Sequence, residues 1–489
     1  MDWFVSREIG IYGNREGSED DFGKVTFFTK TMKGDQIIQS IIEDLIDMRK
    51  GDIVFFHVLK TDESAIHGVY RIREEPFYND NVWIWKSSST LIYPYRFCFE
   101  PYPGHFELCK HDANVPVSEF YQSVENRKIM SVLTLEREVR GAAHAVKKIT
   151  REDSKEIIKL LYRHYDTYHD HQVIQFVPIH MVMTPLRFHI GKIGKIEFAI
   201  KALLAYELGQ KNPHITRFFP PCNESDYDFL IETFVGQTMR RPTDLMCIAE
   251  KDTRMVTTIE AKTDKAEIYD LIQSLQYQEL FKLRNIDRGS LNYQFSICLL
   301  AHRFSPKLAE YASVRNIFLP WEKVILLKYD PIEEGKNAIF TLQDLPLNLP
   351  STFGNYPILA AKAPLDRIRS EVTNFYEIFD KVPVENISLN LKSSENDYVL
   401  LGKKLQNFET LIGHVLVHQI HGKCSNEKFV KFMKLVREDV NKSFNGDFMS
   451  VEPVLIAEEF ENSVSLFIEN YNRFETKAQR APIRAFIQS

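Results

Sequence analysis

The residues whose types and spacing can do chemistry lie in one short stretch: Asp244 in Arg241-Pro242-Thr243-Asp244, then Glu260-Ala261-Lys262. Leu245 to Ala249 is an apolar run, Glu250 to Arg254 is a polar connector, and Met255 to Ile259 is largely β-branched, so the stretch reads as a β-hairpin. Residues i and i+2 of a strand share a face, which points Glu260 and Lys262 the same way, and the hairpin returns them to the end that carries Asp244. Two carboxylates on adjacent strands repel unless a cation sits between them. Oxygen ligands alone select a hard ion such as Mg²⁺ (or Mn²⁺), and a lysine beside it can orient or polarise an attacking water. The chemistry indicated is metal-assisted hydrolysis. An ordinary surface salt bridge on a hairpin would use the same residues.

Asp244 followed by Glu260-Ala261-Lys262 resembles the core motif of the PD-(D/E)XK nucleases, with the proline displaced by one position in Pro242-Thr243-Asp244. Tyr269 to Arg284 has apolar residues at helical spacing (Leu271, Ile272, Leu275, Leu280, Leu283). Within it Gln273 and Tyr277 have the spacing of the QxxxY motif of the RecB-like branch, and four residues apart they share one helix face. The family usually adds an acidic residue on a preceding helix. Glu197, near the start of the helix Ile196 to Glu207, resembles it, with Glu207 as the competitor. The resemblance therefore implies a catalytic set of Asp244, Glu260, Lys262, Gln273, Tyr277 and Glu197, and a Mg²⁺ or Mn²⁺ ion on Asp244, Glu260 and Ala261. It also implies an α-β-β-β-α-β order over about residues 185 to 335.

These residues need a scaffold, and the chain is long enough for several. Its 489 residues exceed what one core normally organises, and 44% hydrophobic with 26% charged residues is an ordinary globular composition. No apolar run approaches the ~20 residues that span a bilayer, and Met1 to Gly10 lacks the regions of a signal peptide, so a cytoplasmic protein without a membrane partner is expected. Cys98, Cys109, Cys222, Cys247, Cys298 and Cys424 form no CxxC pair and read as buried thiols. A net charge of −6 excludes a strongly basic, bulk-electrostatic nucleic-acid binder. Local basic runs are Arg127-Lys128, Arg137, Arg140, Lys147-Lys148, Arg151 and Arg240-Arg241; each also suits a solvated face.

Residues 1–165 are β-rich. The helical pattern Ile37 to Met48 leads into Met48-Arg49-Lys50-Gly51-Asp52, then a strand Ile53 to His57, then Ala65 to Ile72, then Glu75-Pro76-Phe77-Tyr78-Asn79-Asp80. This order resembles the EVE domains of the PUA-like superfamily, which implies a small β-barrel that binds a modified or flipped base. An aromatic-lined cavity can stack such a base. The candidates are Trp3, Phe28, Trp83 and Trp85, with Tyr93 and Tyr95 nearby; each also suits a core.

Residues 166–184 read as a linker in which His169-Asp170-His171 is a polar connector, and 185–340 as the nuclease domain. Residues 345–489 read as a mainly helical domain of unassigned role, dimerising or clamping DNA, with helices over 365–379, 400–418, 427–440 and 457–471. In it His414, His418 and His421 would share a helix-end face. The expected fold is α/β and α+β multidomain. The expected function is a Mg²⁺-dependent DNA endonuclease, a modification-dependent restriction enzyme acting on double-stranded, base-modified DNA, with a homodimer compatible. The alternatives are a repair nuclease for damaged or branched DNA and a non-catalytic reader of modified RNA or DNA.

Overall fold

The computed structural model describes residues 2–6, 26–28, 45–46, 48–58, 65–78, 95–109, 112–126, 128–129, 146–169, 184–186, 196–223, 227–233, 243–249, 254–284, 293–330, 339–343, 345, 397–406, 409–443, 451–478 and 480–488. The expected helices over 37–48 and 365–379 fall largely or wholly outside them, although Leu45, Ile46 and Met48 are buried.

The first unit is a nine-stranded sheet of β1 (Asp2–Ser6), β2 (Thr26–Phe28), β3 (Ile53–Val58), β4 (Ala65–Ile72), β5 (Phe77–Tyr78), β6 (Tyr95–Pro101), β7 (Asn114–Pro116), β8 (Val146–Ile149) and β9 (Thr184–Pro185), with helices α1 (Val117–Glu125) and α2 (Arg151–Arg163). Its main path runs β8-β1-β3-β4-β6-β5-β9, with β2 added on β6 and β7 on β4. The Lys50-Gly51-Asp52 turn feeds β3 because Gly51 takes a φ of 91°, open to glycine without strain, and its N–H reaches the Ile72 carbonyl at 2.7 Å. The Asp52 carboxylate caps the turn by accepting the Arg49 N–H at 2.9 Å.

The barrel expected for this unit is not formed: among the described residues the sheet is open. One edge, β9, is two residues long and ends in Pro185, which has no N–H to donate. The other edge, β8, lies against the next unit instead. Lys148 places its ammonium 2.9 Å from the centroid of the Phe229 ring, and the Arg151 N–H donates to Asp228 at 3.1 Å.

The second unit opens with α3 (Ile196–Gly209) and continues into a six-stranded sheet: β10 (Asp228–Thr233), β11 (Thr243–Ala249), β12 (Met255–Ala261), β14 (Gln294–Ala301), β16 (Glu322–Tyr329) and β17 (Phe340–Leu342), in that spatial order. The first three strands are antiparallel. β12, β14 and β16 are parallel, joined through α4 (Ile268–Arg284) and α5 (Pro306–Phe318). Two-residue strands β13 (Lys265–Ala266) and β15 (Arg303–Phe304) pair beside them. The sequence order from α3 to β14 contains the α-β-β-β-α-β order stated above, with the short helical turns Pro213–Thr216 and Pro220–Asn223 and the short β13 inserted. Apart from Glu197, Lys201 and Glu207, α3 is largely apolar, as suits a helix packed between two layers. One apolar cluster joins Phe56, Tyr70 and Phe99 of the first sheet, Ile200, Leu204 and Leu208 of α3, and Leu245, Ile259 and Leu327 of the second.

The C-terminal unit corrects the helical expectation. Residues 400–418 are not a helix but most of a long hairpin, β18 (Asp397–Gln406) and β19 (Glu409–Cys424), and the first residues of 457–471 finish strand β20 (Val451–Phe460). β21 (Arg484–Ile487) completes a sheet ordered β18-β19-β20-β21, with α6 (Asn426–Ser443) and α7 (Asn462–Phe474) as crossovers between parallel strands. The β-branched Ile412, Val415, Val417 and Ile420 suit a pleated surface, and two residues, 407–408, separate the strands. The three histidines therefore lie along β19 rather than on a helix; His418 stacks on Phe432 of α6 with ring centroids 5.7 Å apart.

All six cysteines are buried. No helix among the described residues is long and apolar enough to cross a membrane.

The second and third units are tied by a buried ionic network. Arg315 of α5, wholly buried, donates from Nε to Glu475 Oε1 at 2.7 Å, and Arg480 bridges Glu475 Oε2 (2.8 Å), Glu322 Oε2 (2.7 Å) and Glu279 Oε1 (2.8 Å). Burial opposes a charge on Glu475, but Arg315 and Arg480 outweigh it and hold the carboxyl below its ordinary range. Removing one partner from such a network strands the others. We expect Glu475→Ala to destabilise the protein by about 3–5 kcal/mol in denaturant unfolding, the usual scale for breaking a buried pair. A loss under about 1 kcal/mol would show that water already solvates the arginines.

Candidate functional site

Strand register assembles the site. Leu245 pairs with Ile259, which sets Asp244 level with Glu260 at the end of the hairpin remote from its turn. Met246 and Ile248 of β11 and Val256 of β12 pack with Tyr277 of α4, so strand parity turns Asp244 and Glu260 toward the α4 side as well. Both carboxylates are buried, Asp244 at 9% exposure and Glu260 at 4%.

Each carboxylate has its own partners. Asp244 Oδ2 accepts the Ala261 N–H at 2.6 Å, and Oδ1 faces the Lys201 ammonium at 3.4 Å. Glu260 Oε1 accepts from Lys262 Nζ at 2.8 Å and from Gln273 Nε2 at 2.9 Å. Gln273 Nε2 also lies 2.6 Å from the Tyr277 hydroxyl, and Lys262 Nζ lies 3.5 Å from Asp270 Oδ1. Glu260 Oε2 is buried with no hydrogen-bond partner.

The charges disturb one another. Burial first, and then the neighbouring Asp244, push the Glu260 carboxyl up to about 8 against the pull of Lys262. Burial works against the Lys262 ammonium, but Glu260 and Asp270 outweigh it and raise its pKa above the ordinary lysine value. Burial and Glu260 raise the Tyr277 phenol likewise.

The structure thus brings Asp244, Glu260, Lys262, Gln273 and Tyr277 together, and Ala261 contributes its main chain. Glu197 lies on α3, half-buried, but the residue of its face that reaches Asp244 is Lys201, one turn on. Glu207 binds Asn212 beyond the far end of that helix. Lys201 and Asp270 were missed in the sequence. Their signals were a lone lysine inside the apolar run from Phe198 to Ala205, and an acid three residues before Gln273 on the same helix face.

Among the described residues no group of three or more His, Cys, Asp or Glu side chains could hold a metal ion; the oxygen atoms here that a hard divalent cation could use are those of Asp244 and Glu260, including the orphaned Glu260 Oε2, and the Ala261 carbonyl.

The proposed base-binding aromatics are less informative. Trp3 lies on β1, opposite Val54 and Lys148, and Phe28 on β2, opposite Arg96; Trp83, Trp85 and the side chains of Trp3 and Phe28 lie outside the described residues. Of the basic runs, Lys148 is buried on Phe229, Arg151 pairs with Asp228 and Lys128 is exposed. Arg127, Arg137, Arg140, Arg240 and Arg241 lie outside the described residues, as does most of 166–184, where the His169 N–H donates to Asp112.

No protein-family model matches this chain, and no curated protein matches it. Among solved structures, 33% of the chain is similar to 99% of a Pseudomonas putida protein, with a TM-score of 0.21 and 17% identity. The same share is similar to 98% of the DUF55 domain of human thymocyte nuclear protein 1, with a TM-score of 0.22 and 15% identity. It is likewise similar to 96% of human THYN1 solved in complex with 5-methylcytosine-containing DNA, with a TM-score of 0.21 and 15% identity.

The raised Glu260 carboxyl has a measurable consequence. In the folded, metal-free chain it keeps its proton up to about 8, whereas in the unfolded chain it ionises near 4.5. Its contribution to stability is therefore fully present below about 4.5 and is lost as pH rises through 8. With a chelator present, Glu260→Gln should melt with the parent near pH 5 and roughly 5 °C or more above it near pH 9, since each kcal/mol moves Tm by about 2–4 °C in domains of this size. Parallel melting curves for the two proteins across that range would show that Glu260 is not strained by its neighbours.

Proposed function

We propose that this chain is a divalent-metal-dependent DNA endonuclease whose N-terminal unit directs it to DNA carrying a modified base. The observation that carries the reading is the buried Asp244–Glu260 pair, with one orphaned oxygen, flanked by Lys262 and the Gln273–Tyr277 pair. Asp244, Glu260 and the Ala261 carbonyl would hold a Mg²⁺ or Mn²⁺ ion, which would supply charge balancing the carboxylates and Lewis acidity toward a phosphodiester and its attacking water.

The chain's own residues do the positioning. Glu260 and Asp270 anchor the Lys262 ammonium on two sides, leaving it half-buried and preorganised. A phosphodiester gains negative charge as water attacks, so a fixed ammonium stabilises the transition state more than the ground state. Gln273 spans Glu260 and Tyr277 and so fixes the carboxylate's orientation; the Tyr277 ring is anchored among Leu230, Phe281 and Phe295. The reader half rests on the Met48-to-Asp52 turn and the Pro76-Phe77-Tyr78-Asn79-Asp80 segment that resemble EVE domains. Flipping a base costs a few kcal/mol, which stacking and edge contacts must offset.

The test is single-turnover cleavage by the full chain with Mg²⁺ on matched plasmids carrying cytosine, 5-methylcytosine or 5-hydroxymethylcytosine. We expect a modified plasmid to be cut. Asp244→Ala and Glu260→Ala should lower the rate by roughly 10³-fold or more while binding persists. Lys262→Ala should lose orders of magnitude at nearly unchanged affinity; Gln273→Ala and Tyr277→Ala should lose roughly 10- to 100-fold, as misorientation does. Binding to modified DNA with no cutting of any plasmid would replace this reading with a non-catalytic reader. Equal cutting of all three would replace it with a repair nuclease.

A further inference from the structure

Lys201 is one of very few wholly buried lysines among the described residues, at 1% exposure, and it is the charged residue of an otherwise apolar stretch of α3. It enters from the layer opposite α4. Its ammonium stands 3.4 Å from Asp244 Oδ1, while the other oxygen of that carboxylate is taken by the Ala261 N–H. On the other side of the site Glu260 Oε2 is orphaned. The two carboxylates are therefore unequal: one carries a cation built into the chain, the other has a vacant acceptor. A buried ammonium without a counter-charge is costly, and the Asp244 carboxylate supplies one to Lys201.

We infer that Lys201 is a positioning residue whose ammonium occupies one of two cation positions on the Asp244–Glu260 pair, limiting the site to a single divalent ion and setting how tightly that ion is held. The inference rests on the reading of the pair as an ion site and adds the ion count. With a cation bound and Glu260 ionised, Asp244, Glu260 and Asp270 bring three negative charges among the described residues, and Lys201 and Lys262 return two positive ones. The balance suits one dication with a phosphate and does not suit two dications. A dication approaching Asp244 meets the like charge of Lys201 at short range, and like charges a few ångströms apart in a partly buried site repel strongly.

Calorimetric titration of the full chain with Mn²⁺ tests this without reference to cleavage. The parent should take one ion per chain. Lys201→Met should bind Mn²⁺ about tenfold more tightly or take a second ion, and Lys201→Arg should keep the parent's affinity and count. Loss of a merely structural lysine would weaken binding, not strengthen it. Removing the ammonium also takes one positive charge from beside Asp244, so Mn²⁺ should raise the Tm of Lys201→Met by more than it raises that of the parent. If the methionine variant does not fold, Lys201→Gln, which keeps a donor but no charge, carries the same expectation. Two ions on the parent, or unchanged or weaker binding by the neutral variants, overturns the inference while leaving the ion site standing. No Mn²⁺ binding by the parent overturns the ion site itself.

Discussion

Like-charge repulsion between two buried carboxylates is the constraint on which the centre of this protein depends. At an effective dielectric near 20, two unit charges a few ångströms apart interact by about 4 kcal/mol, and burial removes the water that would relieve them. Each group around Asp244 and Glu260 answers that cost. The Ala261 N–H and the Lys201 ammonium serve the aspartate; the Lys262 ammonium and the Gln273 amide serve one oxygen of the glutamate. The answer is incomplete at Glu260 Oε2, and the raised Glu260 carboxyl is the same deficit expressed as proton affinity. A proton, or a cation, completes it.

Maintaining that arrangement needs support from both neighbouring units. α3 carries Lys201 and shares one apolar cluster with the first sheet and the second. The first unit is fastened further by Arg49 over the Tyr206 ring at 5.2 Å and by Arg151 on Asp228. On the opposite flank Gln276 of α4 donates to the Lys477 carbonyl at 3.0 Å, and Arg480 reaches Glu279 of the same helix. α4, which holds Gln273 and Tyr277, is thereby braced by the C-terminal unit. The first unit and the C-terminal unit thus each contact elements of the second unit that carry the site.

The legible parts of the sequence were those governed by local periodicity. A β-branched strand after an apolar one gave the hairpin, period two put Glu260 beside Lys262, and the four-residue spacing put Gln273 and Tyr277 on one face. Lys201 was invisible for a tertiary reason: a lysine in an apolar helix snorkels as readily as it is buried, and only the packing of α3 between two sheets settles which. The C-terminal misreading was a contest of periods. Leu400, Leu401, Leu405, Leu411, Ile412, Val415 and Leu416 fit helical spacing, while Ile412, Val415, Val417 and Ile420 favour strands, and pairing across residues 407–408 decided it. At the open edge of that sheet, β8 places Lys148 on Phe229, far away in the chain, a contact that no local pattern in the sequence signals.

That C-terminal unit also shows why the fold alone does not account for the site. β18 to β21 repeat the plan of β11, β12, β14 and β16, an antiparallel hairpin followed by two parallel crossovers. Where β12 ends in Glu260-Ala261 with Lys262 next in the chain, β19 ends in Gly422-Lys423-Cys424, with Gly422 at a φ of 75° that an L side chain rarely adopts. Its lysine turns outward to a surface pair with Glu459, both side chains more than half exposed, an interaction of little energetic weight. The same connectivity thus stands twice in one chain. In the C-terminal unit a register shift between Ile420 and Lys423 and an exposed ion pair stand where the second unit has its buried carboxylate pair; chemistry follows the side chains grafted on the hairpin, not the hairpin itself.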